Sequence, residues 1–157
     1  TPGDRPFAVH DIEGLRIGMS ICYDGSFPET TRVLMLQGAD LVVLPTNYPA
    51  GAESTIRHLI QCRALENHLY YAAVNRIGVE RGTRFIGQSR IVNVNGDLLA
   101  SAGEDDDTIL IAEIDPERAR NKQIVRIPGK FVLHRANDRR PEMYGDIDKP
   151  QGAAGTE

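Results

Sequence analysis

The chain has 157 residues, of which 41% are hydrophobic, 25% charged and 6% aromatic, the size and mix of one ordinary globular domain and not of a disordered or fibrous chain. Eighteen Lys and Arg against 22 Asp and Glu leave a net charge of -4, the wrong sign for a phosphate-binding surface, so no nucleic acid partner is expected. No apolar run reaches the roughly 20 residues that span a bilayer, and Cys22 and Cys62 make neither a disulfide framework nor a zinc module, so a cytoplasmic protein with no membrane contact is expected.

The chain opens Thr1-Pro-Gly-Asp-Arg5, without an initiator Met or a signal-peptide pattern, and reads as a processed product or a fragment. The first periodic segment is Leu15 to Ile21, where Leu15, Ile17, Met19 and Ile21 alternate with Arg16, Gly18 and Ser20, as in a strand. Asp11, Glu13 and Gly14 suggest a hairpin entry, with Phe7 to His10 as the partner strand. Cys22 then falls at the carboxyl end of a strand, where chemistry collects in α/β folds.

Ser26, followed three residues later by Glu29, predicts a capping box at the start of a helix that runs to Gln37, with Gly38 as its stop. Leu41 to Leu44, before Pro45, reads as a strand buried on both faces. Asn47, Pro49 and Gly51 mark a loop. A helix from Glu53 to His68 follows, with Ile56, Ile60 and Ala64 on its inner stripe and Leu59, Cys62, Leu65 and Leu69 beside it. Tyr70 to Val74 is a third strand, and Arg76 to Arg84 a polar loop.

Ser89 to Val94, Asn95-Gly96 and Leu98 to Ser101 predict a hairpin closed by a type I′ turn. Glu104 to Asp107 is acidic but lacks the glycine and distal Glu of a calcium loop, and reads as an exposed turn. Ile109 to Ile114 is another predicted strand, and Asp115-Pro116 opens a short helix to Lys122. The pattern weakens after Pro128. Residues 1–145 form the expected domain, and 146–157, rich in Gly, Ala, Pro and Asp, a mobile tail.

Cys22, followed by Tyr23, Asp24 and Gly25, sits where turning backbone amides can face a developing oxyanion. The residues alone leave two readings, a nucleophile or a buried inert thiol, since free Cys is among the most buried types. Among the histidines, His10 and His68 could approach only through tertiary structure, while His58 lies on a helix and His134 in the tail. His58, Cys62 and Glu66 recur every four residues, a spacing that metal motifs use and that a polar helix side shares. Arg63 and Glu66 suit an intrahelical ion pair. If that pair is buried near Cys22, Glu66 would orient its neighbours there. Asn47 and Asn75 end strands, where their amides can bond loop backbone instead of substrate.

Gly18-Met-Ser-Ile-Cys-Tyr-Asp-Gly-Ser-Phe-Pro-Glu29 resembles the nucleophile segment of the nitrilase superfamily, the carbon-nitrogen hydrolases. Gly38-Ala-Asp40 leading to Pro45, Arg63-Ala-Leu-Glu-Asn67 leading to Asn75, and Phe85-Ile-Gly-Gln-Ser89 leading to Asn95-Gly96 agree in order, so the resemblance covers Pro2 through Tyr144. It implies an α/β fold, half of a four-layer α-β-β-α sandwich whose subunits pair through helices into a homodimer or higher homo-oligomer. Cys22 would attack an amide or nitrile carbon, with the Tyr23 backbone amide helping to hold the oxyanion. Asp24, Glu29, Asn47, Tyr48, Glu66 and Asn75 would line the pocket or support it, Tyr48 standing where Trp is frequent. No cofactor or metal is implied.

The resemblance also implies a catalytic Glu base and a Lys, both normally ahead of the cysteine. Here the only lysines are Lys122, Lys130 and Lys149, all downstream in segments expected at the surface or in the tail. The chain therefore resembles a carboxyl-terminal half whose amino-terminal half carries Glu and Lys, and which alone would be inactive. Simple nitriles, linear amides and carbamoyl amines all remain open as substrates. The rival reading is a nitrilase-like binding or assembly module without catalysis.

Overall fold

The computed structural model describes residues 3–149, so Thr1, Pro2 and the segment from Pro150 onward, which holds most of the expected tail, lie outside the described residues. Contacts divide the chain after Lys122 into two units.

In the first unit, β1 (Val9–Ile12) and β2 (Leu15–Met19) form an antiparallel hairpin around Glu13 and Gly14, which take φ of 54° and 86°. The partner strand thus begins later than predicted, because Asp11 pairs within the ladder and its carboxylate accepts the Gly14 N–H at 2.9 Å. β2, β3 (Leu41–Thr46) and β4 (Tyr70–Asn75) run parallel, and β7 (Arg90–Val92) and β8 (Leu98–Ser101) close a six-stranded sheet in the order β1-β2-β3-β4-β7-β8. Between β4 and β7, residues 76–84 are not the expected loop. β5 (Ile77–Glu80) and β6 (Thr83–Ile86) pair as a hairpin whose turn residues Arg81 and Gly82 take positive φ.

α1 (Pro28–Leu36) connects β2 to β3, and α2 (Ile60–Asn67), preceded by a π-helical turn at Thr55–Leu59, connects β3 to β4. The capping box at Ser26 does not form. Ser26 is still in a 3₁₀ turn, Phe27 occupies the cap position, and Pro28 starts the helix with a preset φ. The other end matches expectation: Gly38 takes φ 92°, its N–H donates to Met35 and that of Ala39 donates to Leu34, the paired bonds of a Schellman stop.

Leu34, Val42, Leu44, Ile56, Ile60, Ala64 and Tyr71 are fully buried between the helices and the sheet, each large side chain contributing about 1.5–3 kcal/mol by transfer from water. The inner stripe of α2 is narrower than predicted, since Leu65 is exposed and Cys62 lies on the solvent side, while Arg63 and Asn67 turn inward. Of the strand residues of opposite parity, Leu15, Ile17, Leu41, Val43 and Ala72 are half-buried, while Met19 and Val74, toward the carboxyl ends of β2 and β4, are more than half exposed, so the helix-free face of this sheet is apolar and open at that end. This is one α-β half of an αββα sandwich.

The β7–β8 turn is tighter in chemistry than the expected type I′. Gly96 alone takes positive φ, its N–H donates to the Asn93 carbonyl, and the Asn93 side-chain oxygen accepts from Asn95 and Asp97, a type I turn with a glycine bulge. Residues 109–114 form no helix and pair with no strand among the described residues, and Ile109 and Ile111 are 87% and 85% exposed. The strand predicted there is not formed among the described residues. α3 (Pro116–Arg120) follows, with the Asp115 carboxylate accepting the Glu117 N–H at 3.0 Å. Lys122 is not a surface residue: it is 9% exposed, and its amine donates to the carbonyls of Asn67 at 3.3 Å and His68 at 2.8 Å.

The second unit, 123–149 among the described residues, contains a hairpin that the sequence pattern missed. β9 (Gln123–Ile127) and β10 (Phe131–His134) pair antiparallel across a turn with Gly129 at φ 70°, and a short 3₁₀ turn follows at Pro141–Met143.

Candidate active site

Cys22 lies just beyond the carboxyl end of β2, at the start of the 3₁₀ turn Cys22–Ser26, and is partly exposed. Its φ is 47°. A non-glycine residue held there stores about 1–3 kcal/mol of strain, and such outliers gather at functional sites. The left-handed residue stands where the strand gives way to the 3₁₀ turn.

The turn is closed from within by Asp24, whose carboxylate accepts the Ile21 N–H at 2.9 Å while its own N–H donates to the Ile21 carbonyl at 3.0 Å. Gly25 follows because a Cβ there would stand 2.8 Å from a Leu44 methyl. Tyr23 is 71% exposed, its ring edge-on to Phe27 with centroids 5.0 Å apart.

Beneath the turn lies a layer of buried polar side chains. Tyr48 is 7% exposed, and its hydroxyl stands 3.5 Å from the Cys22 carbonyl oxygen. Burial pushes its phenol up from the ordinary value, as it does for the fully buried Tyr71, so both hydroxyls stay protonated as donors. Arg63, 6% exposed, donates to the Glu66 carboxylate at 3.0 Å and to the Ser26 carbonyl at 3.1 Å. The Arg63–Glu66 pair is therefore at the base of the Cys22 turn, with Arg63 buried and Glu66 partly exposed.

Asn75 holds loop backbone. Its side-chain oxygen accepts the Tyr48 N–H at 2.8 Å and its amide donates to the Gly87 carbonyl at 2.7 Å, tying the end of β3 to the segment after β6. Asn47 and Glu29 are both exposed. His68 is at the amino end of β4, the opposite end of the sheet from Cys22. His58 and Cys62 are exposed while Glu66 turns to Arg63, and among the described residues no group of three His, Cys, Asp or Glu side chains could hold a metal ion.

The buried role of Arg63 is the feature that sequence reasoning left conditional. A signal was present: Ile56, Ile60, Arg63 and Asn67 follow the 4-3-4 spacing of one helix face, so two polar residues continue an apolar stripe and must find partners inside.

The family model for carbon-nitrogen hydrolases matches residues 1–123. The chain belongs to the carbon-nitrogen hydrolase family. It is 38% identical to a nitrilase of Pyrococcus abyssi over 91% of its own length and 52% of the relative's, and 33% identical to the N-carbamoylputrescine amidase of Solanum tuberosum over 91% and 50%. Among solved structures it resembles a mutant of the amidase from Nesterenkonia sp. AN1 with TM-score 0.75 and 28% identity, covering 93% of this chain and 49% of that one. That amidase carries a covalent addition of the acetamide moiety of fluoroacetamide at its active site cysteine. The chain thus spans about half the length of the curated relatives it matches, and this carbon-nitrogen hydrolase fold is the αββα sandwich seen in part here.

Proposed function

We propose that the whole protein carrying this chain hydrolyses the carbon-nitrogen bond of a small amide or nitrile, with Cys22 as nucleophile. The observation that carries this reading is the left-handed backbone of Cys22 at a strand end, on a turn whose side-chain supports lie below it. For an amide, the Cys22 thiolate forms a bond to the carbonyl carbon, the carbonyl oxygen takes the negative charge, and the Tyr23 N–H receives it. The amide nitrogen takes a proton from a general acid, and collapse of the tetrahedral intermediate breaks the carbon-nitrogen bond, releasing ammonia and leaving a thioester. Water then attacks the thioester carbon, a base takes its proton, and the thiolate leaves with a carboxylic acid as product.

The acid, the base and a cation for the tetrahedral intermediate come from outside these residues. Lys122, the lysine nearest in sequence, caps the end of α2 remote from Cys22, and Glu66 is engaged by Arg63. The chain is the carboxyl-terminal half, and the amino-terminal half supplies Glu and Lys. The open apolar sheet face at Met19 and Val74 and the unpaired segment 109–114 support such a second half as their cover. Exposed Val33, Leu36 and Leu65 on α1 and α2 support helix-mediated pairing of subunits.

The test is ammonia release from a panel of simple nitriles, linear amides and carbamoyl amines. The whole protein should turn over at least one, Cys22→Ala should lose about 10³-fold or more, and residues 1–157 alone should be inactive. Undiminished turnover by Cys22→Ala would remove the reading.

A further inference from the structure

Three side-chain hydrogen bonds hold the nucleophile turn among the described residues. Asp24 to Ile21 is local to the turn and cannot anchor it to the rest of the fold. Tyr48 reaches Cys22 only at 3.5 Å, long for an O–H donor. The third is the Arg63 guanidinium, which reaches from α2 across 37 positions of sequence to the carbonyl of Ser26, the last residue of the turn, at 3.1 Å.

We infer that Arg63, held in line by Glu66, is a positioning residue that fixes the Cys22 turn in its reactive shape, an inference that rests on Cys22 being the nucleophile. A guanidinium is expensive to bury, and at this position of the α2 stripe an aliphatic side chain would fill space equally well. What it adds is a planar fork. One nitrogen is aligned by the Glu66 carboxylate at 3.0 Å and the other is thereby aimed at Ser26. Arg32 in turn donates to the Glu66 carbonyl at 3.2 Å, joining α1 to the same point. Cys22 begins the turn in a left-handed conformation that relaxes unless its surroundings over-determine it. With the strand fixing one end, Arg63 fixes the other.

Arg63 touches neither thiol nor substrate, so its loss should lower kcat and leave KM nearly unchanged. In the whole protein, Arg63→Met should reduce kcat by about 10²-fold. Arg63→Lys, which keeps the charge but cannot serve Ser26 and Glu66 together, should reduce it by about tenfold. Labelling by iodoacetamide, mapped by peptide mass, reads the same effect without turnover: the rate at Cys22 relative to Cys62 should fall in both variants. Should Arg63→Met fail to fold, Arg63→Lys decides. Wild-type kcat and labelling ratio in a folded Arg63→Lys would overturn the inference, and so would failure of both variants to fold, which would make Arg63 a purely structural residue. A wild type that hydrolyses nothing would count against the reading of function, while the labelling ratio would still judge Arg63.

Discussion

The hydroxyl of Tyr48 lies under the carbonyl oxygen of Cys22, 3.5 Å away. That carbonyl shares a peptide plane with the Tyr23 N–H, and a trans peptide points its C=O and N–H in opposite directions. A donor at the carbonyl therefore directs the Tyr23 N–H to the other side of the peptide plane, free for the role in holding an oxyanion proposed for it.

Removing this hydroxyl tests the relationship with little change in packing. In the whole protein, Tyr48→Phe should keep its fold and its KM, and kcat should drop by roughly two- to tenfold, the worth of one ordinary hydrogen bond. Steady-state kinetics on any turned-over amide reads this. An unchanged kcat would show that the peptide plane is held without Tyr48.

At the opposite end of the sheet, the fully buried Asp40 carboxylate is clasped by Arg16 at 2.9 Å and Arg120 at 2.8 Å. Burial alone would raise its pKa, but the hydrogen bonds from Arg120 and Arg16 outweigh that and hold it below the usual carboxylate value. A depressed folded pKa contributes stability that is present above the unfolded value of about 4 and lost as pH falls through the folded one. Asp40→Asn should cost about 3 kcal/mol at pH 7, toward the lower end for a broken buried pair because both arginines keep about a third of their side chains in water. Chemical denaturation at pH 7 and at pH 3 checks this: the difference between wild type and variant should shrink in acid.

Lys122 gives a slope of the same sign at high pH. Burial pushes its amine down to about 8, below the unfolded value near 10.4. Between about pH 8 and pH 10 the unfolded chain holds the proton more tightly than the folded one, so this group makes stability rise with pH, by an amount of order 1–3 kcal/mol. Lys122→Met should abolish that rise and flatten the profile. Denaturation midpoints measured at half-unit pH steps will show it, and a variant as steep as wild type would contradict the assignment.

Much of this architecture was legible because local chemistry and tertiary demand agree. Leu15 to Met19, Leu41 to Leu44 and Tyr70 to Val74 show strand periodicity, and Gly38 stops α1 where its φ of 92° requires it. Elsewhere a second solution won. Ser26 could cap a helix, but the 3₁₀ turn beginning at Cys22 needs its carbonyl for Arg63 and passes the cap position to Phe27. The β5–β6 hairpin was hidden because Arg81-Gly82 performs a turn usually signalled by Asn-Gly.

At the site, the position of Cys22 was readable, since it ends a clear strand, while its proposed role as nucleophile came from the resemblance. The buried supports Tyr48 and Arg63 were not, because such side chains look like surface residues until a tertiary partner appears, as does Lys122 at the far end of α2. Residues 109–114 show the converse: the run Ile109-Leu-Ile111 with Ile114 reads as a strand, and no described strand pairs with it.

The central claim is that Cys22 forms the covalent intermediate. Treating the whole protein with fluoroacetamide and mapping the adduct by peptide mass tests it most directly, because attack of the thiolate on the methylene carbon breaks the carbon-fluorine bond and leaves a stable thioether. The expected result is stoichiometric modification of Cys22, none at Cys62, and none in Cys22→Ala. Modification of Cys62 at the same rate, or an undiminished adduct in Cys22→Ala, would contradict the claim.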